Sequence, residues 1–370
     1  MSKHLVLVGG GHAHMVTLAN LHRFVEKGHS VTVIGPSEYH YYSGMGPGML
    51  GGTYSPDDIR FATRHVVEKK GGRFLKAKVE RIDPASRTVY TDSNDTVSYD
   101  VLSFNAGSHV SSPPVTGDET DIFPVKPIER LMAAQERLLQ LMSERTIMVG
   151  IVGGGPSSAE IAGNVWALAT DRGVNPPAIH IFSGRAFMSR FPEGVRRRVL
   201  RSLTRRNVKI HGDAYVEKVE NKRITTASGD RYEADFLFLA SGVIPSAIFN
   251  ASGLPTGPDG GLLVNKYLQS TQYPDLFGGG DCIYFKDQPL DKVGVYAVRE
   301  NPVLYHNLMA HLDGEPLMPF DPGGDYLLIF NLGGGEGVLK KRRLTFGGRP
   351  AFVIKDYIDM KFMKKFQSIE

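Results

Sequence analysis

Residues 5–21 read LVLVGGGHAHMVTLANL, and residues 147–169 read IMVGIVGGGPSSAEIAGNVWALA. Each is a short apolar run, a cluster of glycines, and then a stretch with helical character. Short apolar runs bounded by glycine are the mark of buried parallel strands. Each copy is followed by a second apolar run, VTVIG at 31–35 and AIHIFSG at 178–184. Each also closes on a similar phrase, YDVLSFNAGS at 99–108 and ADFLFLASGV at 234–243. A single glycine cluster occurs in many strand-to-helix turns. Two in register, each with its second strand and closing phrase, predict an α/β chain with two Rossmann-like dinucleotide-binding domains.

The chemistry of such a turn is direct. Gly9 and Gly11 permit a tight bend and close approach of a pyrophosphate, and the following helix aims free N–H groups and its positive end at it. Ala13 and His14 lie on that first turn. Gly153 and Gly155 repeat the arrangement, with Ser158 on the helix that follows. Both copies lack the third glycine, having His14 and Ser158 instead, so a slightly wider helix–strand contact is expected. The second strand of such a domain often ends in an acid that binds the adenosine ribose. The first copy has Gly35 there, with Ser37 and Glu38 just beyond; the second has Ser183, then Arg185. An arginine with no competing carboxylate accommodates a 2′-phosphate, so NADPH stands beside NADH as a cosubstrate, and a solvated loop cation is the competing reading.

The totals agree with a soluble globular chain: 370 residues, 41% hydrophobic, 22% charged, net charge +4 and 42 glycines. That charge fits an anionic ligand or a membrane surface and is too weak to argue for nucleic acid. One cysteine, Cys282, excludes a disulfide or a multi-thiolate metal site within the chain. His12 and His14 diverge at a helix start and do not read as a metal pair, so no metal is expected. No run of about 18 apolar residues suggests a spanning helix.

The phrases LVLVGGGHAHM, YSGMGPGMLGG, VKPIER, GVYAVRENPVLYHNL and KDYIDMKFMKKF carry a resemblance along nearly the whole chain. It resembles the FAD-dependent pyridine nucleotide–disulfide oxidoreductase superfamily, within it the type II NADH dehydrogenases and sulfide:quinone reductases, and most of all the flavoprotein domain fused to selenide, water dikinase. The resemblance implies a discontinuous FAD domain at 1–115 and 245–320, an inserted NAD(P)H domain at 116–244, and a C-terminal α/β segment at 321–370. It places FAD near Gly9, Gly11, Ala77, Val79, Ala106 and Gly107, with Gly280 and Asp281 at the ribityl chain and phosphate, and the stretch from Tyr42 to Gly48, with Pro47, near the ring. The nicotinamide nucleotide falls to Gly153, Gly155, Ser158, Ser183, Arg185 and Gly242. Glu160 then lies near the nicotinamide–flavin contact, Lys126 at the hinge, and Val298, with Arg299 and Glu300, toward the acceptor. Cys282 is expected to pack beside the more important Asp281, because a lone thiol cannot cycle within one chain.

The implied activity is hydride transfer from NADH or NADPH through FAD to a quinone or other small acceptor without a redox disulfide. A sulfur or selenium compound, a soluble acceptor and a flavin-based redox sensor are the alternatives. In 193–204 the spacing of Val195, Val199 and Leu203 predicts a helix with a solvated arginine face. At the C-terminus Ile354, Ile358, Phe362 and Phe366 form a stripe at i, i+4 steps, flanked by Lys355, Lys361, Lys364 and Lys365. Such a helix docks on its own protein, on a second subunit as in a homodimer, or in a membrane interface. The expected location is the cytoplasm, with peripheral contact on the inner face of the membrane as the alternative.

Overall fold

The computed structural model describes residues 2–370. Strands β1 (His4–Val8), β2 (Ser30–Gly35), β3 (Arg73–Lys76) and β4 (Val101–Phe104) are joined by a late strand, β10 (Leu276–Gly278), in an all-parallel sheet ordered β10-β4-β1-β2-β3. The second sheet repeats the plan with β5 (Ile122–Pro124), β6 (Met148–Val152), β7 (Ala178–Phe182), β8 (Lys209–His211) and β9 (Phe236–Leu239), in the order β5-β9-β6-β7-β8. In both, the strand before the glycine turn is central and its side chains are buried on both faces: Leu5, Val6, Leu7, Val149 and Ile151 are fully enclosed. That explains why these strands lack polar alternation. The two sheets thus draw on residues 4–104 with 276–278, and on residues 122–239. An antiparallel pairing of Ser108–Val110 with Val243–Pro245 connects them.

The principal helices are α1 (Gly46–Leu50), α2 (Glu129–Glu144), α3 (Pro156–Arg172), α4 (Glu193–Thr204), α5 (Gly294–Asp313) and α6 (Arg349–Gln367). Val195, Val199 and Leu203 of α4 are fully buried, as their spacing predicts. A three-stranded antiparallel sheet, β11 (Leu328–Asn331), β12 (Gly337–Lys341) and β13 (Leu344–Gly348), precedes α6 and packs on it. No helix among the described residues is long and apolar enough to cross a membrane.

The C-terminal stripe does not dock as one face. Phe366 is 5% exposed, whereas Ile354 is 37% and Ile358 41% exposed. The face turned inward instead carries Ala351, Lys355, Asp359 and Met363. Lys355 and Asp359 tolerate burial because they satisfy each other: Nζ of Lys355 lies 2.5 Å from Oδ2 of Asp359 and donates to the Gly44 carbonyl at 2.7 Å. A buried charge is stable only when paired and hydrogen-bonded. These partners hold the helix in an orientation that the apolar spacing alone does not indicate.

Candidate dinucleotide and redox sites

Gly9 opens the first turn with φ +88, and its N–H donates to the Ile34 carbonyl at 2.8 Å. A Cβ there would stand 2.3 Å from the Asn105 carbonyl oxygen, and one on Gly11 would stand 2.3 Å from Asn105 Oδ1. Glycine is therefore required by both conformation and space. Asn105 binds the region together. Its Oδ1 accepts from the Ala13 N–H (3.3 Å) and its Nδ2 donates to the Gly279 carbonyl (2.8 Å). Ala106 and Gly107 follow directly, Gly107 with φ +67.

The wide contact expected at the missing third glycine is not what the structure shows. His14 is fully buried, and its ring spans from the Gly9 carbonyl (Nδ1, 2.6 Å) to Ser103 Oγ (Nε2, 2.8 Å). Burial pushes its pKa down to about 4, so the ring is neutral at pH 7. Because the carbonyl only accepts, Nδ1 carries the hydrogen and Nε2 accepts from the serine hydroxyl. His14 is thus an internal strut that fixes the turn from beneath.

Polar groups without partners stand at both glycine turns, where a dinucleotide would be held. Beside the first turn, His12 Nε2 and Thr63 Oγ1 are buried with no hydrogen-bond partner, and Thr63 lies against Gly10. At the second turn the same holds for Ser158 Oγ. Buried polar atoms are normally satisfied, and a pyrophosphate or ribose would serve all three. Gly153, with φ +140, admits no Cβ because one would stand 2.2 Å from the Ala240 carbonyl oxygen. Gly155 caps α3, which begins with its free N–H groups at this turn. The residues fit both dinucleotides.

Ala77 and Val79 are buried at the end of the first sheet, and the Ala77 N–H donates to the Gly35 carbonyl at 3.1 Å. Ser37 Oγ accepts from the Tyr39 N–H, while Glu38 is engaged by Arg64 at 3.0 Å and Lys76 at 3.7 Å. Gly242 turns with φ +104 beside the strand pair joining the two halves. Val298, on the first turns of α5, is 37% exposed.

Around Asp281 three distant segments meet. Its Oδ2 accepts from Ser108 Oγ (2.8 Å) and Lys126 Nζ (2.7 Å). Burial alone would raise its pKa, but the Lys126 charge and both hydrogen bonds hold it below the usual carboxylate value. Next to it Gly280 turns with φ +77, and its N–H donates to Glu300. Glu300 is 1% exposed, and burial pushes it up to about 7 against the pull of that N–H. Cys282 is fully buried with Sγ against the Phe104 and Gly279 carbonyls, and burial pushes its thiol up to about 12. It is therefore a packing residue rather than a nucleophile.

A second cluster brings Glu160 into contact with the C-terminal segment. Glu160 Oε1 accepts from the Asn331 N–H at 2.8 Å. Burial pushes the acid up to about 7, with nearby Lys355 opposing. Lys355 and Asp359 reach across to the stretch containing Pro47: the Tyr42 hydroxyl donates to Asp359 Oδ1 at 3.1 Å, and Pro47 is buried in α1 just beyond. The Tyr42 ring lies 5.1 Å from Phe362 and 5.0 Å from His12, which contacts His40 at 3.1 Å. Ser108, Thr63, His40, Lys355 and Asp359 are the functional candidates that sequence reasoning misses. Only the i, i+4 spacing of Lys355 and Asp359 was a visible signal.

A family model described as pyridine nucleotide-disulphide oxidoreductase matches residues 3–310. A type II NADH:quinone oxidoreductase of Staphylococcus saprophyticus is 22% identical, the match covering 99% of this chain and 96% of the relative. Ferroptosis suppressor protein 1 of Taeniopygia guttata is 25% identical over 72% of this chain and 71% of its own. Among solved structures, NDH2 from Plasmodium falciparum in complex with NADH superposes with a TM-score of 0.86 at 15% identity, covering 99% of this chain and 96% of that one. The sulfide:quinone oxidoreductase of Aquifex aeolicus does so with a TM-score of 0.78 at 20% identity, covering 100% and 92%.

Proposed function

The chain belongs to the pyridine nucleotide-disulphide oxidoreductase family, and from that premise we propose that it is an FAD-dependent NAD(P)H oxidoreductase delivering two electrons to a quinone-like acceptor. The observation that carries this reading is the pair of glycine turns, each too tight for a side chain and each with a buried polar atom awaiting a partner. The names of the relatives, type II NADH:quinone oxidoreductase and sulfide-quinone reductase, support the acceptor class. So does the chemistry of Cys282, whose enclosure removes it from electron transfer. The electrons then have no dithiol within the chain to pass through.

Bound FAD would supply the hydride-accepting and electron-passing chemistry. The protein's part is binding, orientation and proton supply. Gly9, Gly11 and Ala13 present backbone to one pyrophosphate, and Asp281, kept ionised by Lys126, offers an acceptor for a ribityl hydroxyl. Lys126 brings a cation to the same place. Reduction of a quinone by NAD(P)H consumes one proton beyond the hydride, and a group titrating near neutrality is suited to deliver it. Glu160, at about 7 and in contact with the C-terminal segment, has that property.

The same reading gives α6 a peripheral role at a membrane. Val353, Ile354, Tyr357 and Ile358 are exposed together on its outer face, with Lys361 and Lys364 beside them. An apolar strip rimmed by lysines suits an interface of anionic lipid, where a lipophilic acceptor would be found.

The deciding experiment is anaerobic stopped-flow reduction of the FAD-loaded protein by NADH and by NADPH, then reoxidation with a short-chain quinone. Rapid bleaching followed by quinone-dependent recovery is expected. No bleaching by either nucleotide would remove the hydride-donor reading; bleaching without quinone recovery would remove the acceptor.

A further inference from the structure

We infer that the second dinucleotide site is built for a nucleotide phosphorylated on its adenosine 2′-oxygen, making NADPH the preferred hydride donor; this rests on the NAD(P)H reading above. At the end of β7 a carboxylate would normally receive the hydroxyls of an unphosphorylated ribose. Ser183 stands there, 2% exposed and committed to its own surroundings. Its N–H donates to the His211 carbonyl (2.9 Å), its carbonyl accepts from the Ala214 N–H (2.8 Å), and its hydroxyl donates to the Arg185 carbonyl (2.5 Å). Ser183 Oγ lies only 1.9 Å from where a Cβ on Gly154 would stand. The space against the turn suits a hydroxyl and excludes a longer acid.

The loop after Ser183 folds back over the glycine turn. Met188 takes a left-handed φ of +57 and its N–H donates to the Gly154 carbonyl at 2.8 Å. Arg185 and Arg190 flank this pinned residue. Both are exposed, and among the described residues neither has a carboxylate partner. On the other side Tyr215 is 64% exposed, and its ring packs on Gly184, where a Cβ would stand 3.0 Å from Cδ2. It offers an open aromatic face for a purine. The segment 212–215 carries one carboxylate, Asp213, which is exposed and also without an ion pair.

A 2′-phosphate brings nearly two negative charges to this loop and matches the planar fork of a guanidinium. A bare 2′-hydroxyl brings no charge and meets no acid at Ser183. The discrimination therefore resides in the phosphate.

The test is calorimetric titration of the FAD-loaded protein with adenosine 2′,5′-bisphosphate and with adenosine 5′-monophosphate, alongside flavin reduction by the two dinucleotides. The bisphosphate is expected to bind roughly 10- to 100-fold more tightly, the size of a charge-assisted hydrogen bond. The double variant Arg185→Ala/Arg190→Ala, checked for an unchanged melting temperature, is expected to abolish that ratio and lower the NADPH-to-NADH ratio of kcat/KM equally. Equal binding of both fragments by the native protein would overturn the inference even where the flavin is reduced. So would a selective loss of 5′-monophosphate binding in Asp213→Asn, which would assign ribose recognition to that carboxylate. Fragment discrimination without flavin reduction by either dinucleotide would leave this site standing and sink the hydride-donor reading instead.

Discussion

Replacing Glu160 by glutamine should make the protein more resistant to alkaline conditions, although it removes a charge that has a lysine nearby. Burial lifts the folded-state pKa of Glu160 from the ordinary 4.5 to about 7, and this already includes the opposing attraction of Lys355. Between those values the folded chain holds a proton that the unfolded chain has released. Stability from this group is complete below about pH 4.5 and is lost as the pH rises through about 7. Each pH unit of the rise is worth about 1.4 kcal/mol, so the loss amounts to at most about 3 kcal/mol above pH 8. Glutamine keeps an oxygen for the Asn331 N–H and has no proton to lose. With about 2.1 cal/mol/K of unfolding entropy per residue, 370 residues convert that loss into a difference of ~4 °C if the chain melts as one unit. The assay is scanning calorimetry of native and Glu160→Gln protein, FAD present, from about pH 5 to about pH 8.5. The two should melt together at the acid end and diverge in favour of glutamine across neutrality. Glu300 also titrates near 7, but it is common to both proteins and cancels in the difference. A variant that melts below the native protein at pH 8 would show that the Glu160–Lys355 attraction outweighs burial and would refute the reasoning.

Three further outcomes are expected. Gly9→Ala must place a side chain at φ +88 and 2.3 Å from the Asn105 carbonyl oxygen; the conformation alone costs about 1–2 kcal/mol, so FAD retention measured by flavin absorbance should fall about tenfold or more. Cys282→Ser should leave quinone turnover within twofold (about 0.4 kcal/mol), and the native thiol should be silent to a disulfide reagent until denaturant is added. Val353→Asp/Ile358→Asp should reduce co-sedimentation with anionic vesicles by roughly tenfold, since each exposed residue forfeits about 1 kcal/mol or more of apolar burial, and unchanged sedimentation would discard the membrane face.

The glycine turns could be found in the sequence because a steric requirement leaves a residue-level trace: where Asn105 and Ser183 press on the backbone, only glycine serves. The two parallel sheets were legible for a similar reason, since a strand buried on both faces must be apolar throughout. The cluster around Asp281 was less so. Ser108, Lys126 and Asp281 look like ordinary polar residues, and the partners lie 155 and 173 residues from the aspartate. His14 shows another limit. A departure from the glycine pattern suggests a looser turn, yet the imidazole's two nitrogens find Gly9 and Ser103 and tighten it. In α6 the apolar spacing marked Ile354 and Ile358 as a face to be covered by the protein, a second subunit or a membrane, but within the fold a lysine and an aspartate took the buried face. What overrides periodicity there is a carbonyl and a hydroxyl supplied 311 and 317 residues away, which no local pattern encodes.

That helix also sets an order of events. The residues it touches, Tyr42, Gly44 and His12, are synthesised some three hundred positions before Lys355, Asp359 and Phe362. A growing chain therefore carries both glycine turns long before the wall beside the first one exists. Cofactor captured during synthesis would sit in an open cradle, free to leave, until residues 349–367 dock and close it. Tight retention of FAD is then expected only once residues 349–367 have found their place against Tyr42, Gly44 and His12.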